Sequence, residues 1–347
     1  MGDTPTPATP ELFGLERPEA PPASPQPDAG ASSQADVAAS PHAGAPASFT
    51  TGSPVAPEIP AERPEPPQDP GRSPNTTWSP WTAPLALVAG LVLTTVVSLL
   101  VDAPAAALGA KITGSHTPPG ITLADTFVQD VCFVLVSLWC AQLGNRKAAS
   151  WQFGLRRPPG GWRRASGLVF LLLVAFVVLS AIWSSAVNPS REKLLEQLGT
   201  NEGTALLLLS AGLTCIVAPM CEEFLFRGYM FTALRNWRGT WPAAVITGLI
   251  FGLVHVGSAP ALDLIPLAGL GFGLCLLYRY TGSLYPCFAA HALNNCLAFS
   301  SLEGWGWQWL PLIAGSLAGI TGVVMLFKHL GLIADRVEDR SLSAAMP

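Results

Sequence analysis

From Trp81 onward the chain alternates between apolar runs, each about 20 residues long, and short polar connections. Eight such runs can be marked: 82–101, 124–143, 165–186, 203–232, 241–257, 261–279, 283–301 and 307–328. Each is near the length a helix needs to cross a bilayer, so the pattern predicts an all-α, polytopic membrane bundle of about eight transmembrane helices. The fourth run is long, and Pro219 is its expected kink point. Residues 1–80 break the pattern. They hold 19 of the 33 prolines and little apolar periodicity, which predicts a disordered Pro/Ala/Ser-rich tail that cannot offset its ordering entropy. The expected organisation is that tail, a membrane-embedded domain over 81–330, and a short polar segment over 331–347. The first long apolar run begins near Thr82, so no N-terminal signal peptide is expected.

Basic residues orient the bundle. Connection 144–164 carries Arg146, Lys147, Arg156, Arg157, Arg163 and Arg164. Connection 233–240 carries Arg235 and Arg238; Arg279 follows the sixth run, and Lys328, Arg336 and Arg340 follow the eighth. The alternate connections hold only Lys111, Arg191 and Lys193. The positive-inside rule then places both termini in the cytoplasm, with a bacterial plasma membrane as the expected location. Trp81, Trp183, Trp237, Trp241, Trp305 and Trp307 fall near run ends, where aromatic belts form.

Composition adds two exclusions. Half the residues are hydrophobic, 12% are charged, and the net charge is −4. Ten of the 23 acidic residues lie in the first 80, so the membrane part is slightly basic, with no patch suited to nucleic acid. The seven cysteines sit in or beside apolar segments without metal-ligand spacing and read as small hydrophobes. Asn75-Thr76-Thr77 fits a glycosylation acceptor but falls on the expected cytoplasmic side, and is read as chance. Gly269, Gly271 and Gly273 suggest a helix-packing face.

The chemistry is concentrated in a few polar positions inside the runs. Glu222 and Glu223 interrupt the fourth, where an ionised carboxylate costs about 2.5–3.5 kcal/mol at the bilayer centre. Glu223 and Arg227 are spaced to pair on one helix face, while Glu222 is rotated about 100° away. Rise along the helices puts Glu222 and His255 each about 20 Å from the ends that carry the basic connections, with His291 and Asn295 about 12 and 18 Å deep. His291 and Asn295 share a face, as do Phe251 and His255. The expectation is one buried constellation, reached through a water-filled cavity open to the cytoplasm. A buried Glu with histidines and an amide can activate water and stabilise an oxyanion, the parts of a peptide-bond hydrolase. Zinc held by Glu222, His255 and His291 is the alternative, although no HExxH occurs.

Glu222-Glu223-xxx-Arg227, Phe251-xxx-His255 and His291-xxx-Asn295, in that order, resemble the three motifs of the CPBP family, the CAAX proteases and bacteriocin-processing enzymes also called Abi intramembrane proteases. Phe153-Gly154-Leu155-Arg156 and Thr281-Gly282-Ser283-Leu284 add to the resemblance, which covers roughly residues 150–300. It implies an intramembrane endopeptidase acting on a membrane-associated or lipid-modified protein or peptide. By the same resemblance, Glu222 is the general base, His255 assists it, and His291 and Asn295 stabilise the oxyanion. Glu223 and Arg227 shape and charge-balance the site. The family has been described both as metal-dependent and as glutamate-type; no cofactor is the favoured reading, zinc the other. A non-catalytic immunity or scaffold protein, and a proton- or ion-coupled transporter, are the rival functions. The oligomeric state is left open.

Overall fold

The computed structural model describes residue 76 and residues 78–112, 117–143, 148–187 and 197–333. Most of the proline-rich tail, Asn75 and Thr77, the basic pair Arg146 and Lys147, Arg191 and Lys193, and residues 334–347 lie outside the described residues.

Eight long helices form where eight runs were expected. They are α1 (Thr82–Ala107), α2 (Pro119–Ala141), α3 (Gly161–Val187), α4 (Thr204–Arg238), α5 (Thr240–Leu253), α6 (Leu264–Thr281), α7 (Tyr285–Leu302) and α8 (Trp309–His329). No strand is found among the described residues, beyond one isolated bridge between Val256 and Ala259. Within hydrocarbon every backbone polar group must be satisfied inside its own segment, and helices do this. Side-chain hydroxyls follow suit: Ser137 Oγ donates to Phe133 O at 2.7 Å, and Thr281 Oγ1 to Leu277 O at 2.7 Å.

Six of the spans are long and apolar enough to cross a membrane. The other two helices, α5 and α7, carry or lead directly into the polar motifs. Burial sorts the six. Only 11% of the most apolar stretch is buried in α1, α3 and α8, against 33% in α2 and in the α6 span. The first three therefore form the lipid-facing wall, with Val88, Val92, Phe170 and Leu179 outward.

Helix α4 is the axis. Every residue from Phe224 to Phe231 is buried, including Arg227. A helix buried all round has neighbours on every side. Its hydrogen bonding widens from α to π over Leu213–Val217 and again over Phe224–Phe231. Glu222 and Glu223 end the short α stretch Ala218–Glu223 between the two wide turns. Such π segments are frequent at functional sites.

A clasp on the basic face joins two segments that the sequence singled out separately. Leu284 N–H donates to Gly154 O at 2.9 Å, Arg156 Nε to Gly282 O at 2.9 Å, and Ser283 Oγ to Arg156 O. Gly154 has φ +81°, and a Cβ there would sit 2.5 Å from the Tyr278 ring, so glycine is required twice over. Phe153 stacks on Phe224 at 4.5 Å, which ties the clasp to the axis. Trp78 packs beside it, 4.8 Å from Phe153 and 5.0 Å from Tyr229. Trp78 thus packs on the bundle although it precedes the expected boundary at residue 80.

The glycine face differs from the one read in the sequence. Helices α5 and α6 approach through Gly248, Gly252 and Gly271: a Cβ on Gly248 would lie 2.7 Å from Phe272 N and 2.8 Å from Ala268 O. Gly269 has nothing within 4 Å, and Gly273 faces Leu172 of α3 instead. Gly248→Ala is expected to destabilise the protein by about 1–3 kcal/mol, because backbone atoms must move to admit the methyl. Gly269→Ala should stay within about 0.5 kcal/mol. Thermal unfolding in one detergent compares them directly; equal midpoints would refute the close approach.

Candidate active site

Helix α4 brings the two acidic residues to different surroundings. Glu223 is fully buried, and its Oε1 accepts a hydrogen bond from Arg227 Nη1 at 2.6 Å and another from His291 Nδ1 at 2.8 Å. Arg227 is also fully buried. Its Nη2 donates to Gly271 O at 3.0 Å, and its guanidinium lies 4.4 Å from the centre of the Phe251 ring. The expected pairing of Glu223 with Arg227 is thus present, and His291 joins it.

Glu222 turns toward a cavity of about 480 Å³. Its side chain is 15% exposed, and Oε2 lies 3.9 Å from His291 Nε2 without a hydrogen-bond partner among the described residues. His291 therefore stands between the two carboxylates, bonded to one and facing the other.

The two imidazoles are oriented alike. His255 Nδ1 lies 2.7 Å from Phe251 O. A carbonyl oxygen can only accept, so Nδ1 carries the proton and Nε2 holds the lone pair when the ring is neutral. His291 Nδ1 likewise faces a carboxylate acceptor. Phe251 sits between the rings, 5.0 Å from His255 and 5.6 Å from His291. His255 lies just past the end of α5, in a turn held by Ser258 and Ala259 N–H groups donating to its carbonyl.

Asn295 owes its orientation to a missing N–H. Ala218 N–H bonds Leu213 O, five residues back, at the end of the first π segment. In that register Thr214 O would be served by residue 219, which is proline and has no N–H. Asn295 Nδ2 supplies the bond from α7, at 3.0 Å. Asn294 Nδ2 in turn lies 3.3 Å from Asn295 Oδ1. One Nδ2 hydrogen of Asn295 is left for another acceptor. Asn295→Ala should cost about 1–3 kcal/mol by stranding Thr214 O. In a Pro219→Ala background the cost should shrink, since residue 219 can then donate. A double-mutant cycle on unfolding checks this, and strict additivity would refute it.

All seven residues singled out in the sequence, Glu222, Glu223, Arg227, Phe251, His255, His291 and Asn295, fall in or beside this centre. Sequence reasoning missed Asp130 of α2. It is 1% exposed, has an unpartnered Oδ2, and interacts electrostatically with Glu222 and Cys221. An acid inside an apolar run was the available signal. The polar lining Gln129, Ser180 and Ser184 was also missed.

Glu222, His255 and His291 were the candidate ligands for the alternative, zinc. Among the described residues no three His, Cys, Asp or Glu side chains converge closely enough to hold a metal ion. No step below is routed through one.

The lining of the cavity comes from one end of the bundle. The cavity walls come from the early part of α2, the late parts of α3 and α7, the start of α6 and the turn after α5. Residues of the basic connections do not contribute.

A polytopic all-α membrane bundle with a carboxylate–imidazole–amide centre buried at its middle is the class that these features define. Residues 204–297, which hold the whole centre, match the family model described as type II CAAX prenyl endopeptidase Rce1-like. That match covers about a quarter of the chain and, with the ordered motifs, makes this part of it similar to the CPBP family. It is 29% identical over 87 residues to an uncharacterised protein of Mycoplasma capricolum, covering 25% of each chain. It is 29% identical over 152 residues to the Bacillus subtilis protein named "Putative membrane peptidase YdiL", covering 41% of this chain and 61% of that one. Over 142 residues it is 22% identical to the UPF0177 protein YxdF of Lactococcus lactis, covering 39% and 77%. The chain therefore spans less than two thirds of the first two relatives. No solved structure matches.

Proposed function

We propose that this protein is an intramembrane endopeptidase that hydrolyses a peptide bond with water activated by Glu222. The observation that carries the reading is the contrast between the paired acids. Glu223 is neutralised by Arg227 and His291, while Glu222 faces the cavity with an Oε2 that has no hydrogen-bond partner among the described residues. The family match and the name of the Bacillus relative support the same class of activity.

In this mechanism a water between Glu222 and His255 Nε2 gives a proton to the Glu222 carboxylate as its oxygen attacks the scissile carbonyl carbon. The new C–O bond forms, and the carbonyl π pair moves onto oxygen. His291, bonded at Nδ1 to Glu223 and protonated at Nε2, donates to that oxyanion; the second Asn295 Nδ2 hydrogen is its other donor. Collapse breaks the C–N bond as Glu222 returns the proton to the leaving amine. Glu223 holds His291 in place, and Arg227 balances Glu223.

The test compares membrane-fraction peptides from cells carrying the wild type or Glu222→Ala. New termini found only with the wild type are expected; indistinguishable peptide sets would refute the activity. Once a substrate is in hand, cleavage should survive chelation, and the purified protein should hold no stoichiometric zinc. Loss of cleavage on chelation, restored by zinc, would overturn the metal-free mechanism.

A further inference from the structure

We infer that the scissile segment reaches Glu222 from the face opposite the basic connections, the extracytoplasmic face, so that the substrate is a segment displayed on the outer side of the membrane. This rests on the endopeptidase reading above, and it sharpens which substrates that site can meet. Prenylated C-terminal tails, which are displayed to the cytoplasm, fall outside that class.

The first support is the cavity's origin. Helix α5 has 14 residues, about 21 Å of rise, against about 30 Å of hydrocarbon. It starts on the basic face and stops about 9 Å short of the far boundary, where His255 turns the chain back. The space that a full-length helix would fill beyond Leu253 is the cavity. Its walls confirm the direction: Thr126 and Gln129 lie early in α2, Ser180 and Ser184 late in α3, Asp263 just before α6, and Leu302 at the end of α7. All are nearer the face that carries the connections after α3, α5 and α7.

The opposite route is plugged. On the basic side of Glu222 lies the fully packed block from Phe224 to Phe231, with Tyr278 and Phe288 against it. The Gly154–Ser283 clasp closes the end.

The third support is charge. Arg156, Arg157, Arg163, Arg164, Arg235, Arg238, Arg279 and Lys328 all lie at the plugged end. Lys111 is the one described Lys or Arg in the connections at the open end. The positive-inside rule puts the plugged end in the cytoplasm. The open end is then outside.

The test uses the full chain in intact spheroplasts and a membrane-impermeant sulfonated maleimide. Single cysteines are placed at the two ends of α3: Arg164→Cys in its first turn and Ser184→Cys on the exposed, cavity-lining last turn. Glu303→Cys, at the end of α7, is a second probe of the open face. The native chain is the blank, since six of its seven cysteines are buried. Labelling of Ser184→Cys and Glu303→Cys before permeabilisation, and of Arg164→Cys only after it, is expected. The reverse pattern, or labelling of all three in intact cells, overturns the sidedness. The labelled Ser184→Cys protein is then assayed on the cleavage found above, where at least a tenfold loss relative to the labelled native chain is expected. Unchanged cleavage with the expected labelling overturns the entry route. Labelling needs no proteolysis, so failure of the endopeptidase reading alone leaves the sidedness result intact and is recognised separately.

Discussion

Glu222→Gln is expected to reduce the rate of cleavage by about 10²–10⁴, the usual contribution of a positioned general base. The amide keeps the shape of the side chain but cannot accept the proton from water. The fold should be unaffected, because the Glu222 carboxylate holds no other group in place: Oε2 lacks a partner, and its nearest ionic neighbour, His291 Nε2, is 3.9 Å away. Thermal unfolding and single-turnover cleavage of the same preparation test both halves. Wild-type turnover in the variant would remove Glu222 from the mechanism. An equally large loss of stability would mean that the residue is structural.

Arg227→Met is expected to have the largest effect on stability. It removes the one fully buried Lys or Arg among the described residues and leaves Glu223, at 0% exposure, with His291. Stranding one member of a buried ion pair costs about 3–5 kcal/mol. Arg227 also bonds Gly271 O and rests on Phe251, so α4, α5 and α6 all loosen together. The double variant Glu223→Gln with Arg227→Met should recover part of the loss, since no unpaired charge remains. Folded yield and unfolding midpoints of the three proteins decide it. A double variant no more stable than Arg227→Met would show that packing of the guanidinium, not charge balance, is what matters.

Much of this was readable from residue order. Apolar runs located all eight helices within a few residues, because the bilayer imposes length and hydropathy on a spanning helix. The separation of Glu222 from Glu223 followed from rotation per residue, and the Glu223–Arg227 pair from helical spacing. Depth estimates put His255 about 21 Å and His291 about 12 Å from the basic ends, and both rings pack against Phe251. Other features depend on relations that no run of hydropathy carries. The two π segments of α4 arise from packing on every side, and Pro219 gave only the place, not the wide turn beside it. The partner of Asn295 is a carbonyl freed by a proline 76 positions earlier in the chain. The early stop of α5 was hidden because Val254 and Val256 prolong the apolar run past the helix end. That concealment also hid the end of the bundle at which the cavity lies. The glycine face was placed on α6 alone, while the tightest approach uses Gly248 and Gly252 of α5, whose partners are backbone atoms that only a three-dimensional fit reveals.

The short reach of α5 also bears on the lipid around it. Val245, Leu249 and Leu253 are exposed along this helix, so acyl chains lie against a wall that ends about 9 Å before the far boundary of an average bilayer. Lipid meets such a mismatch by thinning, at a fraction of a kcal/mol per Å. A patch of compressed membrane therefore belongs to the resting state of this protein, next to the turn that carries His255. Bilayer thickness becomes a physical variable acting on the His255 turn, set by the composition of the host membrane rather than by any residue of the chain.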